Sequence, residues 1–133
     1  MIYDKPYILV IDDDPDILDA IRAMLEDEGH HVQTSEKGDY AESLRDIAGG
    51  LPDLIILDVL LSGKDGRTIC RSLKEQDETN HIPIIMISAH PDAERSVKDV
   101  GADAFVAKPF SIDDFLDLVN RLLDRLPAQF DSP

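Results

Sequence analysis

The sequence predicts an open, doubly wound α/β domain built on a five-stranded parallel sheet, and three observations lead there. Short continuous runs rich in Ile and Val recur at Tyr7–Ile11, Leu54–Leu57 and Ile82–Ile87. Runs of that kind read as strands buried on both faces, as in a parallel sheet. Segments with apolar residues at helical spacing lie between them. Candidate strands begin near residues 7, 31, 54, 82 and 104, so each strand–helix unit spans about 20–30 residues, which fits the minimum size of a βαβ crossover.

Taken in order, Tyr7–Ile11 is the first strand. Ile17, Leu18, Ile21, Met24 and Leu25 form the stripe of the first helix. Asp14 suits its cap, Pro15 its first turn and Gly29 its end. His31–Ser35 is a weaker second strand, followed by a helical stripe at Tyr40, Leu44 and Ile47. Leu54–Leu57 precedes a third stripe, Ile69, Cys70 and Leu73. Ile82–Ile87 precedes a thin fourth stripe, Ala93, Val97 and Val100, closed by Gly101. Ala104–Ala107, as weak a candidate as His31–Ser35, is the fifth strand. The last helix carries the strongest stripe: Ile112, Phe115, Leu116, Val119, Leu122, Leu123 and Leu126, with Ser111 as cap. Leu118 falls off that stripe and is a candidate to face a partner. Residues 1–126 read as one domain, and 127–133 as a tail or linker stub.

Composition narrows the function. The 133 residues include 28 Asp and Glu against 13 Lys and Arg, a formal charge of −15. An acidic surface disfavours nucleic acid and anionic membrane as direct partners, and it suits metal cations or basic protein surfaces. Cys70 is the lone cysteine, so no internal disulfide can form and a reducing cytoplasm is the expected compartment. No apolar run approaches the ~20 residues of a membrane helix.

Ligands of open parallel sheets bind beyond the carboxyl ends of the strands. The first strand ends in Asp12, Asp13 and Asp14, the third in Asp58, the fourth in Ser88 and the fifth in Lys108 before Pro109. Each has a mundane use, as cap, turn residue or surface cation. Three adjacent acids repel one another, however, and capping employs only one. Clustered carboxylates at a strand end suit a hard divalent cation such as Mg²⁺. A carboxylate can attack a phosphoryl donor, a serine hydroxyl can bond a phosphoryl oxygen, and a lysine held at a strand end can pair with either charge.

At these residues the sequence resembles the receiver domain of two-component response regulators, from Tyr7 to Leu126. Ile8–Asp13 matches the family's first-strand acid pair, and Pro52–Asp58 its phosphoacceptor strand. Gly63-Lys64-Asp65-Gly66 matches the following loop, Ile84–Ala89 the hydroxyl motif and Gly101–Phe110 the closing motif. The resemblance implies a flavodoxin-like fold. It implies Asp58 as phosphoacceptor, with Ser88 and Lys108 holding the phosphoryl oxygens. It also implies a Mg²⁺ site (Mn²⁺ as alternative) on Asp13, Asp58 and the Leu60 carbonyl, with Asp12 acting mainly through water. Phosphate would come from a histidine kinase or histidine phosphotransfer protein. Ser88 and Phe105 would be the switch pair, and the fourth helix, fifth strand and fifth helix would address a downstream protein or output domain. The Lys108–Pro109 bond is expected to be cis. Ser62 stands where the family usually has proline. By the same resemblance, Leu60 and His90, two residues beyond Asp58 and Ser88, would flank the path of attacking water.

Two other readings compete. Asp12-Asp13-Asp14 also resembles the Asp-x-Asp motif of haloacid-dehalogenase-type phosphatases, with Asp12 as nucleophile and Asp14 as acid/base. Alternatively, the chain is a receiver-like interaction module that takes no phosphate.

Overall fold

The computed structural model describes residues 7–36, 51–61 and 63–124. In chain order the elements are β1 (Tyr7–Ile11), α1 (Pro15–Asp27), β2 (His31–Ser35), β3 (Leu54–Asp58), α2 (Gly66–Glu75), β4 (Ile84–Ser88), α3 (Glu94–Asp99), β5 (Ala104–Ala107) and α4 (Ile112–Leu123). A short antiparallel ladder joins Leu60–Leu61 to Lys64–Asp65 after β3, and a 3₁₀ turn, Pro91–Ala93, precedes α3. The helical stripe expected at Tyr40, Leu44 and Ile47 lies outside the described residues.

The five strands form one parallel sheet in the order β2-β1-β3-β4-β5. The chain winds one way from β1 to β2 and the other way from β3 onward. The reversal opens a crevice between the carboxyl ends of β1 and β3. Ile11 pairs with Leu57, so Asp12 and Asp58 leave the sheet side by side.

Alternate residues of each strand enter opposite cores, as a period of two requires. On one face Ile8, Val10, Ile56, Ile85 and Ile87 meet Leu18, Ile21 and Leu25 of α1 and Phe115, Val119 and Leu122 of α4. On the other, Leu9, Ile55, Leu57 and Met86 meet Ile69, Cys70 and Leu73 of α2 and Val97 of α3. Both faces are covered, which is why these strands are continuously apolar.

Three details differ from the sequence reading. The fourth strand begins at Ile84, because Pro83 has no amide to give and the Ile82 amide is taken by the Thr79 carbonyl in a turn. Ile112, the first residue of α4, is exposed and stands outside the stripe that enters the core. Leu118 is partly buried against the first core, so it does not stand free for a partner.

Candidate functional site

Each side chain at the carboxyl edge is held by local backbone chemistry. Asp14 caps α1, accepting the Asp16 amide at 2.9 Å, with Pro15 in the first turn. Asp12 is buried; its Oδ1 accepts the Asp14 amide at 2.9 Å. Its Oδ2 faces the Lys108 ammonium at 3.4 Å. Lys108 also reaches Asp58 Oδ1 at 3.7 Å. The Lys108 amide bonds the Ser88 carbonyl at 2.8 Å, and the Lys108–Pro109 peptide is cis. The lysine is therefore fixed at the strand end, with its amine between two carboxylates.

Asp58 is the last residue of β3 and is buried. Carboxylate oxygens of Asp12, Asp13 and Asp58 lie within 4.8 Å of one another. Burial, then the charge of Asp12, pushes the Asp58 carboxyl up to about 6. Lys108 and an amide hydrogen bond from Leu60 pull it down, and Asp13 adds a smaller upward push. Three acids so close, with one ammonium among them, leave excess negative charge. A hard cation that takes oxygen ligands would relieve it. The donor set therefore fits a divalent ion.

The backbone of Leu60 points the same way. Gly66 donates to the Val59 carbonyl at 2.7 Å, and Leu60 is the partner of Asp65 in the short ladder. Antiparallel pairs alternate between bonded and unbonded. The Leu60 amide consequently turns away from Asp65, toward the Asp58 carboxylate. Its side chain is exposed.

Ser88 ends β4 and is buried, its hydroxyl accepting the His90 amide at 3.0 Å. The helix after it is not capped by Ser88: the residue before the 3₁₀ turn is His90, which makes no side-chain cap. Phe105 is partly buried, pairs with Met86 and packs against the second core. The structure thus brings Asp12, Asp13, Asp58 and Lys108 into one cluster. Ser88 stands on the neighbouring strand, and Phe105 lies farther along the sheet.

Two positions named in the sequence only as part of a matching loop have roles that the sequence reading did not give. Gly66 lies directly on Asp58: a methyl there would overlap the Asp58 carbonyl oxygen. Asp65 caps α2, accepting the Arg67 amide at 2.9 Å. The available signal was Asp-Gly just ahead of an apolar stripe, a helix-start pattern.

The model of the response regulator receiver domain matches residues 8–120. The chain is 38% identical over 127 residues to the DNA-binding dual master transcriptional regulator RpaA of Synechocystis, covering 92% of this chain and 52% of that protein. It is 39% identical over 122 residues to the phosphate regulon transcriptional regulatory protein PhoB of Rhizobium meliloti, covering 90% and 53%. Among solved structures, the response regulator TrrA of Thermotoga maritima in complex with Mg²⁺–BeF superposes with TM-score 0.76 at 29% identity, covering 88% of this chain and 98% of that one.

The chain belongs to the response regulator receiver domain family of two-component signalling. It spans about half the length of the two curated relatives. The phosphatase reading gains no support from them, and Asp14, its acid/base, is the cap of α1. No helix among the described residues is long and apolar enough to cross a membrane.

Proposed function

We propose that Asp58 accepts a phosphoryl group from a phosphohistidine on a histidine kinase or phosphotransfer protein. The observation that carries this is the cluster itself: three carboxylates within 4.8 Å, with the Lys108 amine reaching two of them. An Asp58 carboxylate oxygen attacks phosphorus, the P–N bond breaks, and the donor imidazole leaves with that electron pair. Lys108 is near enough to pair with a phosphoryl oxygen, and the Ser88 hydroxyl can bond another. Asp58 attacks as the anion, the major form at pH 7 for a carboxyl near 6.

Asp13, Asp58 and the Leu60 carbonyl would hold Mg²⁺, or Mn²⁺ in its place. Asp12 is already engaged by the Asp14 amide and Lys108, so it suits contact through water. Bound there, the ion supplies charge neutralisation for the transferring group. The TrrA structure with Mg²⁺–BeF supports the choice of ion. Phosphorylation then draws Ser88 toward phosphate, Phe105 follows, and the face of α3, β5 and α4 changes for a downstream protein or output domain. Residues 1–126 act as the receiver unit, and 127–133 as a tail or linker. The lone thiol suits a cytoplasmic location. Activity of the domain itself extends to its own phosphorylation and dephosphorylation.

Incubation with acetyl phosphate and Mg²⁺, then intact-mass measurement, tests the reading. Wild type gains one phosphate, whereas Asp58→Asn and chelator-treated wild type gain none. An adduct on both proteins, or on neither, overturns it. Leu60, exposed beside the site, is expected to shield the acyl phosphate from water. Leu60→Asn should shorten its half-life severalfold, and equal half-lives would refute that role.

A further inference from the structure

Arg67 makes more polar contacts than a surface arginine needs. Its Nε donates to Asp65 Oδ1 at 2.9 Å and its Nη2 to Asp65 Oδ2 at 2.7 Å, a bidentate pair. Its Nη1 crosses to α3 and donates to Ser96 Oγ at 3.0 Å. Ser96 Oγ in turn donates to the Ala93 carbonyl at 2.9 Å. The guanidinium is therefore fixed at both ends. On one side it holds the loop that follows Asp58; on the other it holds the helix.

What it holds is lightly attached. α3 has six residues, one of them buried (Val97), and no side-chain cap. The 3₁₀ turn ahead of it has none either. Cys70 Sγ adds a weak contact to the Val100 carbonyl at 3.7 Å. Arg67 and Ser96 also line a groove of about 380 Å³ with Val59, Leu60, Ser88 and His90. The groove runs from the Asp58 loop to the start of α3.

A continuous path follows. The Leu60 amide bonds the Asp58 carboxylate. Leu60 pairs with Asp65, Asp65 grips Arg67, and Arg67 holds Ser96. A hydrogen bond is short-ranged, so this link is either made or broken. An apolar contact alone could slide instead.

We propose that Asp65, Arg67 and Ser96 form a latch that holds α3 in its unphosphorylated arrangement, with Arg67 as the positioning residue and the Ser96 bond the part that opens. The coupling to phosphate rests on the proposed role of Asp58; the latch does not. A contact present in only one arrangement opposes the other by the same factor, whichever end is perturbed. Opening the latch therefore loosens α3 and favours phosphorylation together.

The test is amide hydrogen exchange over residues 91–100 in unphosphorylated protein, paired with the phosphorylated fraction at fixed acetyl phosphate and Mg²⁺. Loss of one part-buried hydrogen bond should speed exchange by about five- to tenfold in Ser96→Ala. Arg67→Lys should behave alike, because an ammonium cannot bridge Asp65 and Ser96 as the planar fork does. Ser96→Thr keeps the hydroxyl and should stay near wild type. The odds of phosphorylation should rise severalfold in the first two variants and not in the third. Unchanged exchange in Ser96→Ala and Arg67→Lys overturns the latch. Faster exchange with unchanged odds overturns its coupling to phosphate. A wild type that takes no phosphate defeats the reading of Asp58 instead, and exchange still judges the latch.

Discussion

The last two helices, α3 and α4, flank β5 but are built to different standards. α4 has twelve residues, a Ser111 cap on the Asp114 amide and four buried side chains. Its Phe115 ring lies 4.9 Å from that of Phe110. α3 has half the length, one buried residue and no side-chain cap. Each fully buried aliphatic or aromatic side chain contributes about 1.5–3 kcal/mol, so α4 is anchored several times more firmly. The domain thus concentrates its cohesion on one side of β5 and is lightly attached on the other. Elements that move are drawn from the weakly attached end.

Core truncation tests this contrast most severely. Phe115→Ala is expected to lower unfolding free energy by about 3–5 kcal/mol, read from urea denaturation. Val97→Ala should cost about 2 kcal/mol, for two lost methyls and a small cavity. Equal losses would erase the asymmetry.

A smaller effect comes from Asp58. Its folded carboxyl is raised to about 6, so the folded state holds its proton more tightly than the unfolded state. The associated stability is present below pH ~4 and is lost as pH rises through about 6. Asp58→Asn removes that penalty and should stabilise the metal-free domain at pH 7 by roughly 1–3 kcal/mol. The gain should vanish in acid. A thermal scan at pH 7 and pH 4 checks both, and a destabilised Asn variant at pH 7 contradicts the electrostatics.

The smallest effects concern the caps. Ser111→Ala should cost about 1 kcal/mol. His90→Ser, at the start of the 3₁₀ turn, should return up to about 1 kcal/mol to α3 and slow exchange over residues 91–100. If it does neither, the missing cap is not what keeps α3 weak.

How much of this was legible depended on the range of the interaction. Tyr7–Ile11 and Leu54–Leu57 could be read from the chain, because burial on both faces marks a strand locally, whereas Ala104–Ala107, half-buried at the sheet edge, left a weaker mark. Asp14 as a cap was equally local. Asp12, Asp13, Asp58, Ser88 and Lys108 became a set through one topological rule about strand ends. Ile112 and Leu118 were misjudged, because a helical stripe says which residues agree with one another, and not which of them enter the core. The Arg67–Ser96 bond joins residues 29 positions apart on different helices, and no spacing in the sequence announces it.

The closeness of Gly66 to the Asp58 carbonyl has a consequence for mutational tolerance. Scanned for function, Gly66 should rank beside Asp58 in intolerance, although it brings no functional group. A chemist choosing residues by reactivity would overlook it. The position is specified by the atoms it lacks, and even a single methyl would displace the backbone from which Asp58 hangs.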